Sequence, residues 1–452
     1  MKIILSARRF ALPLVGGVDV YAERLGNALQ RMGHEVGIFA FDDLETGANG
    51  DIRMVEDGHV GKKIWRFRFA MDGRPKQAFD HAYDPQMGQV LRDILRKEKP
   101  DLLIVLNFYL ATLAIVEVAH ELGIPIAHIA TDFIPICRRA TFVRWDGTSC
   151  SKGESIKTCT ECFVSHHPLG RLAAKTLARV PDEKLVELAR GQSSYRLPHP
   201  LAVLNPYWKQ VRIMHERLAI LGPLRQKINV VLVPTQFTRR MFVANGFQSK
   251  QVHLLPFAVE PNHPLASVQH SPAGHIRFLF VGRLQPYKGT HLLIEAFNRL
   301  DDPRGATLTI YGAADGYETY FQELQKVIDA NPRIFFKGSI PPDQLGQAFA
   351  EADYFVLPST WHENSPLILL DALQSKTPVI ASEIGGVTDV ITHGVNGLLF
   401  ARGDSDALRQ LLQQSIRETQ LLEELRAGVD LPTIDDYATT LLDLCRAQPG
   451  HA

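Results

Sequence analysis

The chain has little cysteine for its length, no excess of either charge, and no apolar run long enough to span a bilayer. Each shortage excludes something. Five cysteines in 452 residues are too few for a disulfide-stapled scaffold, and a chain this long buries enough apolar surface to fold without staples. Lys and Arg number 49 against 49 Asp and Glu, so the basic excess expected of a nucleic-acid binder is missing. The most apolar long stretch, Leu102 to Ala119, is interrupted by Asn107 and Glu117. It reads as a buried strand running into a helix, not as a membrane span. Ahead of Arg8-Arg9 stand only Ile3, Ile4, Leu5 and Ala7 as an apolar core, too short for an export signal, and the expected location is cytoplasmic. No G-x-G-x-x-G follows a strand and no G-x-x-x-x-G-K-[ST] occurs, which argues against dinucleotide dehydrogenases and removes P-loop NTPases. No repeat of fixed short period is present. The remaining composition, 45% hydrophobic and 22% charged, is that of a globular chain and excludes a disordered or fibrous one.

What is present is alternation. Lys2–Ala7 is an apolar run, followed by a glycine-containing loop and a helical pattern that places Val20, Leu25, Ala28, Leu29 and Met32 on one face and stops at Gly33. Further strands are expected at 34–40, 101–106, 124–129 and 229–233. Continuous apolar runs of this kind indicate parallel strands covered on both faces, and helices between them imply right-handed crossovers. The pattern restarts near Arg277 and runs to about residue 430. A stretch punctuated by proline and glycine, residues 256–275, separates the two units as a linker. The expectation is an α/β chain of two Rossmann-like, doubly wound parallel-sheet domains facing a central cleft. The first covers residues 1–262 and is completed by a helix within 435–452; the second covers 263–434. Residues 135–228, with four cysteines and several prolines, break the rhythm and read as an insertion in the first domain.

Ligands of such folds bind at the carboxyl ends of the strands. Gly16-Gly17 lies after the first strand and before a helix, where backbone N–H groups can approach an anion; an ordinary tight turn is the alternative. Arg283 and Lys288, in the Gly282–Gly289 loop after the first strand of the second domain, form a cationic clamp suited to a diphosphate leaving group. After another strand comes Trp361-His362-Glu363-Asn364-Ser365-Pro366, opening a helix that carries Asp371. Pro366 suits the first helical turn, and Asn364 or Ser365 is a candidate cap. Glu363 and Asp371 are two carboxylates placed to hold sugar hydroxyls. Gly385-Gly386 follows the next strand.

These pieces, in this order and with His34-Glu35-Val36 and Asn396-Gly397, resemble the retaining glycosyltransferases of family four, which have the GT-B fold. The resemblance runs from residue 16 to about 400. It implies a nucleoside-diphosphate sugar, with UDP or GDP as carrier, held mainly by the C-terminal domain: Arg283 and Lys288 on the diphosphate, Glu363 on the transferred sugar, Asp371 on the ribose diol, Ile340 beside the nucleobase. Asn364, Ser365, Pro366 and Leu367 complete the donor-binding loop, and Gly16 and Gly17 face it from the first domain. Two positions depart from the family. Asp371 replaces its usual Glu, and Thr131-Asp132 stands where members often carry His-Asp; Asp132 remains the polar, catalytic candidate there. His128 reads as a core residue of the strand before it.

The reading is therefore a hexosyltransferase. Its acceptor is a hydroxyl of a growing, lipid-linked cell-surface glycan, and it needs no catalytic metal because the Arg/Lys clamp replaces one. A sugar-nucleotide epimerase of the same fold and a non-catalytic partner subunit are the alternatives. Cys137, Cys150, Cys159 and Cys162 end in a C-x-x-C. A structural Zn²⁺ site, disulfide or redox chemistry, and free thiols are the three readings of that cluster. The Tyr207–Leu221 segment is helical in period, with Lys209, Arg212 and Glu216 opposite its apolar face. With Arg225 and Lys227 it is a candidate for peripheral contact with an anionic inner membrane face, a solvated face being the alternative.

Overall fold

The structure, a computed structural model, describes residues 1–447 except 11–13, 15, 45–51, 71–84, 109–112, 146, 149, 151–152, 166–167, 192–204, 262–273, 302–304 and 428–430. Most of the expected linker, the expected boundary at 262/263 and the last five positions of the expected terminal helix lie outside the described residues.

The strands are β1 Lys2–Ala7, β2 Glu35–Leu44, β3 Ile52–His59, β4 Lys62–Ala70, β5 Leu102–Val105, β6 Ile126–Ile129, β7 Val230–Val233 and β8 Val252–Leu254, then β9 Ile276–Val281, β10 Ala306–Tyr311, β11 Ile334–Phe336, β12 Tyr354–Leu357, β13 Val379–Ser382 and β14 Gly397–Phe400. The helices are α1 Gly17–Arg31, α2 Pro85–Glu98, α3 Leu113–Glu121, α4 Ile156–Val164, α5 Pro168–Leu177, α6 Asp182–Gly191, α7 Asn205–Lys227 and α8 Gln236–Ala244, then α9 Thr290–Asn298, α10 Glu318–Asp329, α11 Leu345–Ala350, α12 Leu367–Gln374, α13 Ser405–Arg417, α14 Thr419–Ala427 and α15 Ile434–Arg446.

They form two sheets, ordered β3-β4-β2-β1-β5-β6-β7-β8 and β11-β10-β9-β12-β13-β14. Every pairing is parallel except β3 with β4. The short central strands β5, β6 and β7 are buried along their whole length, as expected of strands with helices on both faces. One face of the first sheet packs Phe39, Trp65 and Phe67 with residues of α2 and α3. The other packs Ile3, Leu5, Tyr21 and Leu25 with Tyr437 and Leu441 of α15, which docks on the first sheet.

β1 falls where the sequence places it and the ends of the other expected strands differ by at most four residues, while the antiparallel β3–β4 hairpin has no counterpart among the expectations. β3 is an exposed edge strand, so it lacks the apolar run by which the other strands are recognised. The helix read over 207–221 extends through Pro223 to Lys227. Its Tyr207, Trp208, Val211 and Met214 are buried against α4 and α6. Of the basic residues read as a membrane-facing set, Arg212 donates to the Ala189 carbonyl at 3.0 Å, and Arg225 is buried on Glu154 at 3.0 Å. Lys209 is exposed, and Lys227, half-buried, donates to Glu117 Oε1 at 3.4 Å. Among the described residues no helix is long and apolar enough to cross a membrane.

Candidate active site

The chain leaves β9 for β10 and β11 on one side, then returns to β12, β13 and β14 on the other. The loops after β9 and β12 therefore diverge and leave a crevice, the switch point where ligands of such sheets bind. Gly289 closes the β9 loop with φ of 74°, and a methyl group there would collide with the Pro358 carbonyl; only glycine allows this loop to lie against the start of the β12 loop. The contact is completed by Thr360 N–H, which donates to the Tyr287 carbonyl at 2.8 Å.

That contact brings Lys288 to Glu363. Lys288 Nζ donates to Glu363 Oε1 at 2.7 Å and stands 4.8 Å above the Trp361 ring. Ser359 Oγ and Trp361 Nε1 each donate to the same Glu363 oxygen at 2.7 Å. Glu363 is 4% exposed, and a carboxyl group buried to such depth needs a cation and hydrogen-bond donors of this kind around it. The site is backed from β13 by Gly386, where a methyl group would collide with the Glu363 carbonyl. Ser359 and Trp361 were not singled out from the sequence. Their position within four residues of Glu363, on the same strand-end loop, was the available signal. Arg283 is exposed at the rim of the β9 loop.

Asn364 and Ser365 do not cap α12. The N-cap is Pro366, with no side-chain hydrogen bond. Asn364 is committed instead to the first domain, donating from Nδ2 to the Ala130 carbonyl at 2.6 Å and accepting from Thr238 Oγ1 at 2.7 Å. The first turn of α12 thus opens towards the cleft with uncapped N–H groups, an environment that favours an anion. Leu367 lies 3.7 Å from the place a Gly17 side chain would occupy, so the starts of α1 and α12 face each other. Leu370, 2% exposed, belongs to the same apolar cluster as Phe257 and Tyr437. Burial of such a side chain contributes roughly 1.5–3 kcal/mol, so apolar packing reinforces the polar contacts across the interface.

Asp371, one turn into α12, meets the other domain directly: Arg24 Nη2 donates to its Oδ1 at 2.7 Å. The side chains are 11% and 12% exposed. Arg24 Nη1 is buried without a hydrogen-bond partner among the described residues. Arg24 was not anticipated, although it lies seven residues after Gly17, two turns along the same helix face. Ile340 packs against the apolar cluster of β9, β12 and β13, and the Gly338 carbonyl accepts from Gly312 N–H at 2.8 Å, which ties this segment to the end of β10.

On the first-domain side, Asp132 follows β6 two residues beyond Ala130, the carbonyl that Asn364 grips. Burial pushes its carboxyl up to about 7, against the opposing pull of the Ile134 N–H and of Arg8. Ile134 N–H donates to Asp132 Oδ1 at 2.8 Å. Thr131 Oγ1 donates to the Leu106 carbonyl at 2.5 Å, tying the β6 end to the β5 end. His128 is fully buried, with ring centroids of Phe108 and Phe242 at 4.7 and 5.9 Å. Its Nδ1–H donates to the Val105 carbonyl at 2.9 Å, and desolvation lowers the imidazole to about 4. It is a neutral core residue.

Cys137, Cys150, Cys159 and Cys162 fall in one lobe of the insertion as free thiols, none in a disulfide. Among the described residues no three of His, Cys, Asp and Glu stand together as metal ligands would. Burial pushes the thiols of Cys137, Cys159 and Cys162 up.

Two parallel-sheet domains, each presenting its strand ends to one cleft, define the GT-B class. Solved structures of that class superpose along almost the whole chain. Sucrose-phosphate synthase from Thermosynechococcus elongatus has a TM-score of 0.61 at 16% identity, covering 98% of this chain and 96% of its own. HepE from Anabaena in complex with UDP has a TM-score of 0.59 at 16% identity, covering 99% and 98%. At the level of sequence, the family described as Glycosyltransferase Family 4 matches residues 15–135, and Glycosyl transferases group 1 matches residues 266–428. The chain belongs to the family-four glycosyltransferases of the GT-B fold. Among curated relatives, D-inositol 3-phosphate glycosyltransferase of Jonesia denitrificans is 33% identical over 171 residues, 35% of this chain. The amylovoran biosynthesis glycosyltransferase AmsK of Erwinia amylovora is 29% identical over 194 residues, 41% of this chain. These matches span 38% and 47% of the relatives' own lengths.

Proposed function

We propose that this chain is a retaining glycosyltransferase that moves a hexose from a nucleoside-diphosphate sugar to a hydroxyl of a lipid-linked cell-surface glycan, without a catalytic metal. The observation that carries the reading is the Lys288–Glu363 pair at the switch point, with Glu363 fixed by three donors on one oxygen. Lys288, with Arg283 at the rim, offers positive charge where a diphosphate leaving group develops negative charge, and preorganised charge of this kind costs no reorganisation during reaction. Glu363 keeps its second oxygen for the transferred sugar, and Asp371 holds the ribose. The uncapped start of α12 and the buried Nη1 of Arg24 add donors on the same side. Asp132 faces the cleft from the opposite domain as the acceptor-side carboxylate. In this reading retention comes from attack on the face the leaving group departs from, the phosphate oxygen accepting the acceptor's proton.

UDP as the carrier is supported by HepE, whose structure is a UDP complex, and a polysaccharide acceptor by AmsK, a glycosyltransferase of amylovoran biosynthesis. The lipid-linked acceptor places the enzyme at the inner membrane face, reached from the cytoplasm. A thermal-shift screen of UDP, GDP and their hexoses, followed by turnover of the stabilising donor, tests the reading, because a ligand that binds only the folded state raises its stability. Stabilisation by a nucleotide sugar with slow release of the nucleoside diphosphate is expected. A folded protein that none of these compounds stabilises, and that turns none of them over, overturns it.

A further inference from the structure

The insertion carries a buried charge cluster for which the proposed chemistry has no use. Arg217 and Arg225 lie two turns apart on α7, and both reach Glu154, which sits one residue before the Ser155 cap of α4. Arg217 Nε donates to Glu154 Oε1 at 2.5 Å and Arg225 Nη2 to Oε2 at 3.0 Å. The side chains of the three are 6%, 9% and 1% exposed. Two buried cations on one anion are unfavourable unless further hydrogen bonds take up the remaining N–H groups. Here such bonds go to the first residue of the insertion and the residue just before it, while Arg225 Nε is left without a partner among the described residues. Arg217 Nη2 donates to the Ile134 carbonyl at 2.5 Å, and Arg225 Nη2 donates to the Pro135 carbonyl at 3.0 Å. Ile134 is the residue whose own N–H holds Asp132 Oδ1. The far side of the cluster is fixed as well, since Glu154 N–H donates to Asn245 Oδ1 at 2.5 Å after α8.

We propose that Arg217 and Arg225 are positioning residues for the acceptor side: with Glu154 they clamp the carbonyls of Ile134 and Pro135 and thereby set the turn that aims Asp132 into the cleft. The inference rests on the reading of Asp132 as the acceptor-side carboxylate. It gives the insertion a task, since α4 and α7 brace a loop of the Rossmann-like core that has no helix of its own to hold it. The charged group acting on Asp132 from the neighbouring elements is Arg8, after β1; Arg217, Arg225 and Glu154 act on it through the backbone. Loosening the turn weakens the Ile134 N–H bond, which favours the ionised carboxylate, so the midpoint of Asp132 must move up.

The test follows the Asp132 carboxyl by ¹³C NMR in the full-length protein, with the resonance assigned by its loss in Asp132→Asn. Arg217→Met is expected to move the titration midpoint up by at least half a pH unit while the UDP dissociation constant stays within twofold. Turnover of the donor selected by the thermal-shift screen should fall at least tenfold at pH 7. Arg217→Lys, which keeps the charge and one donor should Met prevent folding, is expected to fall between wild type and Met. An unchanged midpoint in a folded Arg217 variant overturns the brace. Unchanged turnover in Asp132→Asn overturns the role of Asp132 instead, and leaves the brace to stand or fall on the titration.

Discussion

Arg24 of the first domain and Asp371 of the second are joined across the cleft by a 2.7 Å ion pair with both side chains almost buried. In the proposed function Asp371 also holds the donor's ribose, so on that reading nucleotide binding and the contact between the domains would share one group. A carboxylate has two oxygens, and the Arg24 bond is made to Oδ1. Arg24 thus fixes an acid one methylene shorter than the family's usual Glu.

Asp371→Asn keeps the shape but removes the charge. It is expected to weaken UDP binding by about 1.5–3 kcal/mol, the range for hydrogen bonds to charged groups, which is roughly tenfold to a hundredfold in Kd. Calorimetry with UDP reads this, and 2′,3′-dideoxy-UDP should bind wild type and variant alike. Arg24→Met should weaken UDP as well, because it leaves the Asp371 charge unpaired in the interface. An unchanged UDP affinity in a folded Asn variant would falsify the ribose assignment.

Lys288→Ala removes the cation paired with Glu363, which the proposed function also gives to the leaving diphosphate. The expected cost is about 2–4 kcal/mol of transition-state stabilisation, as for other preorganised electrostatic donors. Turnover measured as release of nucleoside diphosphate should fall accordingly, and wild-type turnover should persist in excess EDTA. Complete loss in EDTA, restored by Mg²⁺ while the fold is intact, contradicts the metal-independent mechanism.

Strands such as β7, VVLV, are readable because every residue is buried on both faces, so apolarity alone marks them. β3 is not, because at an exposed edge the sheet asks only for backbone pairing. Its turn at Val60-Gly61, with φ of 47° and 74°, uses a non-glycine left-handed residue that no turn signature announces. The same division runs through the site. Lys288 and Glu363 each sit in a loop directly after a strand, where chain order already points to the crevice. The partner of Arg24 lies 347 positions away, and periodicity shows only which face of α1 it occupies. Arg225 read as part of a surface patch, and Arg217 was not singled out, because helical spacing does not reveal that Glu154 is buried between them. Asn364 read as a cap for the matching reason: its neighbours in sequence are helical, while its hydrogen bonds cross to the other domain.

Burial keeps the Cys137, Cys159 and Cys162 thiols protonated above the ordinary range, and the thiolate is the reactive form. Iodoacetamide at pH 8 is therefore expected to label the folded, reduced protein slowly at these three positions and quickly once it is unfolded. Mass spectrometry of the alkylated peptides gives the rates. Zinc near one equivalent per chain, by elemental analysis of protein purified without chelator, would instead mean that the four cysteines are drawn in as thiolate ligands.

Asp132 makes stability depend on pH in the direction opposite to that of a salt-bridged acid. Its folded-state carboxyl is pushed up to about 7 by burial, whereas an unfolded chain ionises Asp near 3.9. Below about pH 4 the group is protonated in both states and contributes no slope. Between about 4 and 7 the unfolded chain has released a proton that the folded chain still holds, so stability falls as pH rises. Above about 7 both forms are ionised and the loss is complete. Asp132→Asn removes this dependence. The Asp132 residue keeps some solvent exposure although its carboxyl is desolvated, so the penalty is taken below its full linkage value, at roughly 1–3 kcal/mol. The Asn variant is expected to melt with wild type at pH 4, to draw ahead through neutrality, and to stay ahead at pH 8, while losing acceptor turnover. Melting curves of the two proteins from pH 4 to 8 decide it, and curves that remain superimposed across that range show that the Asp132 carboxyl is not held neutral by the fold.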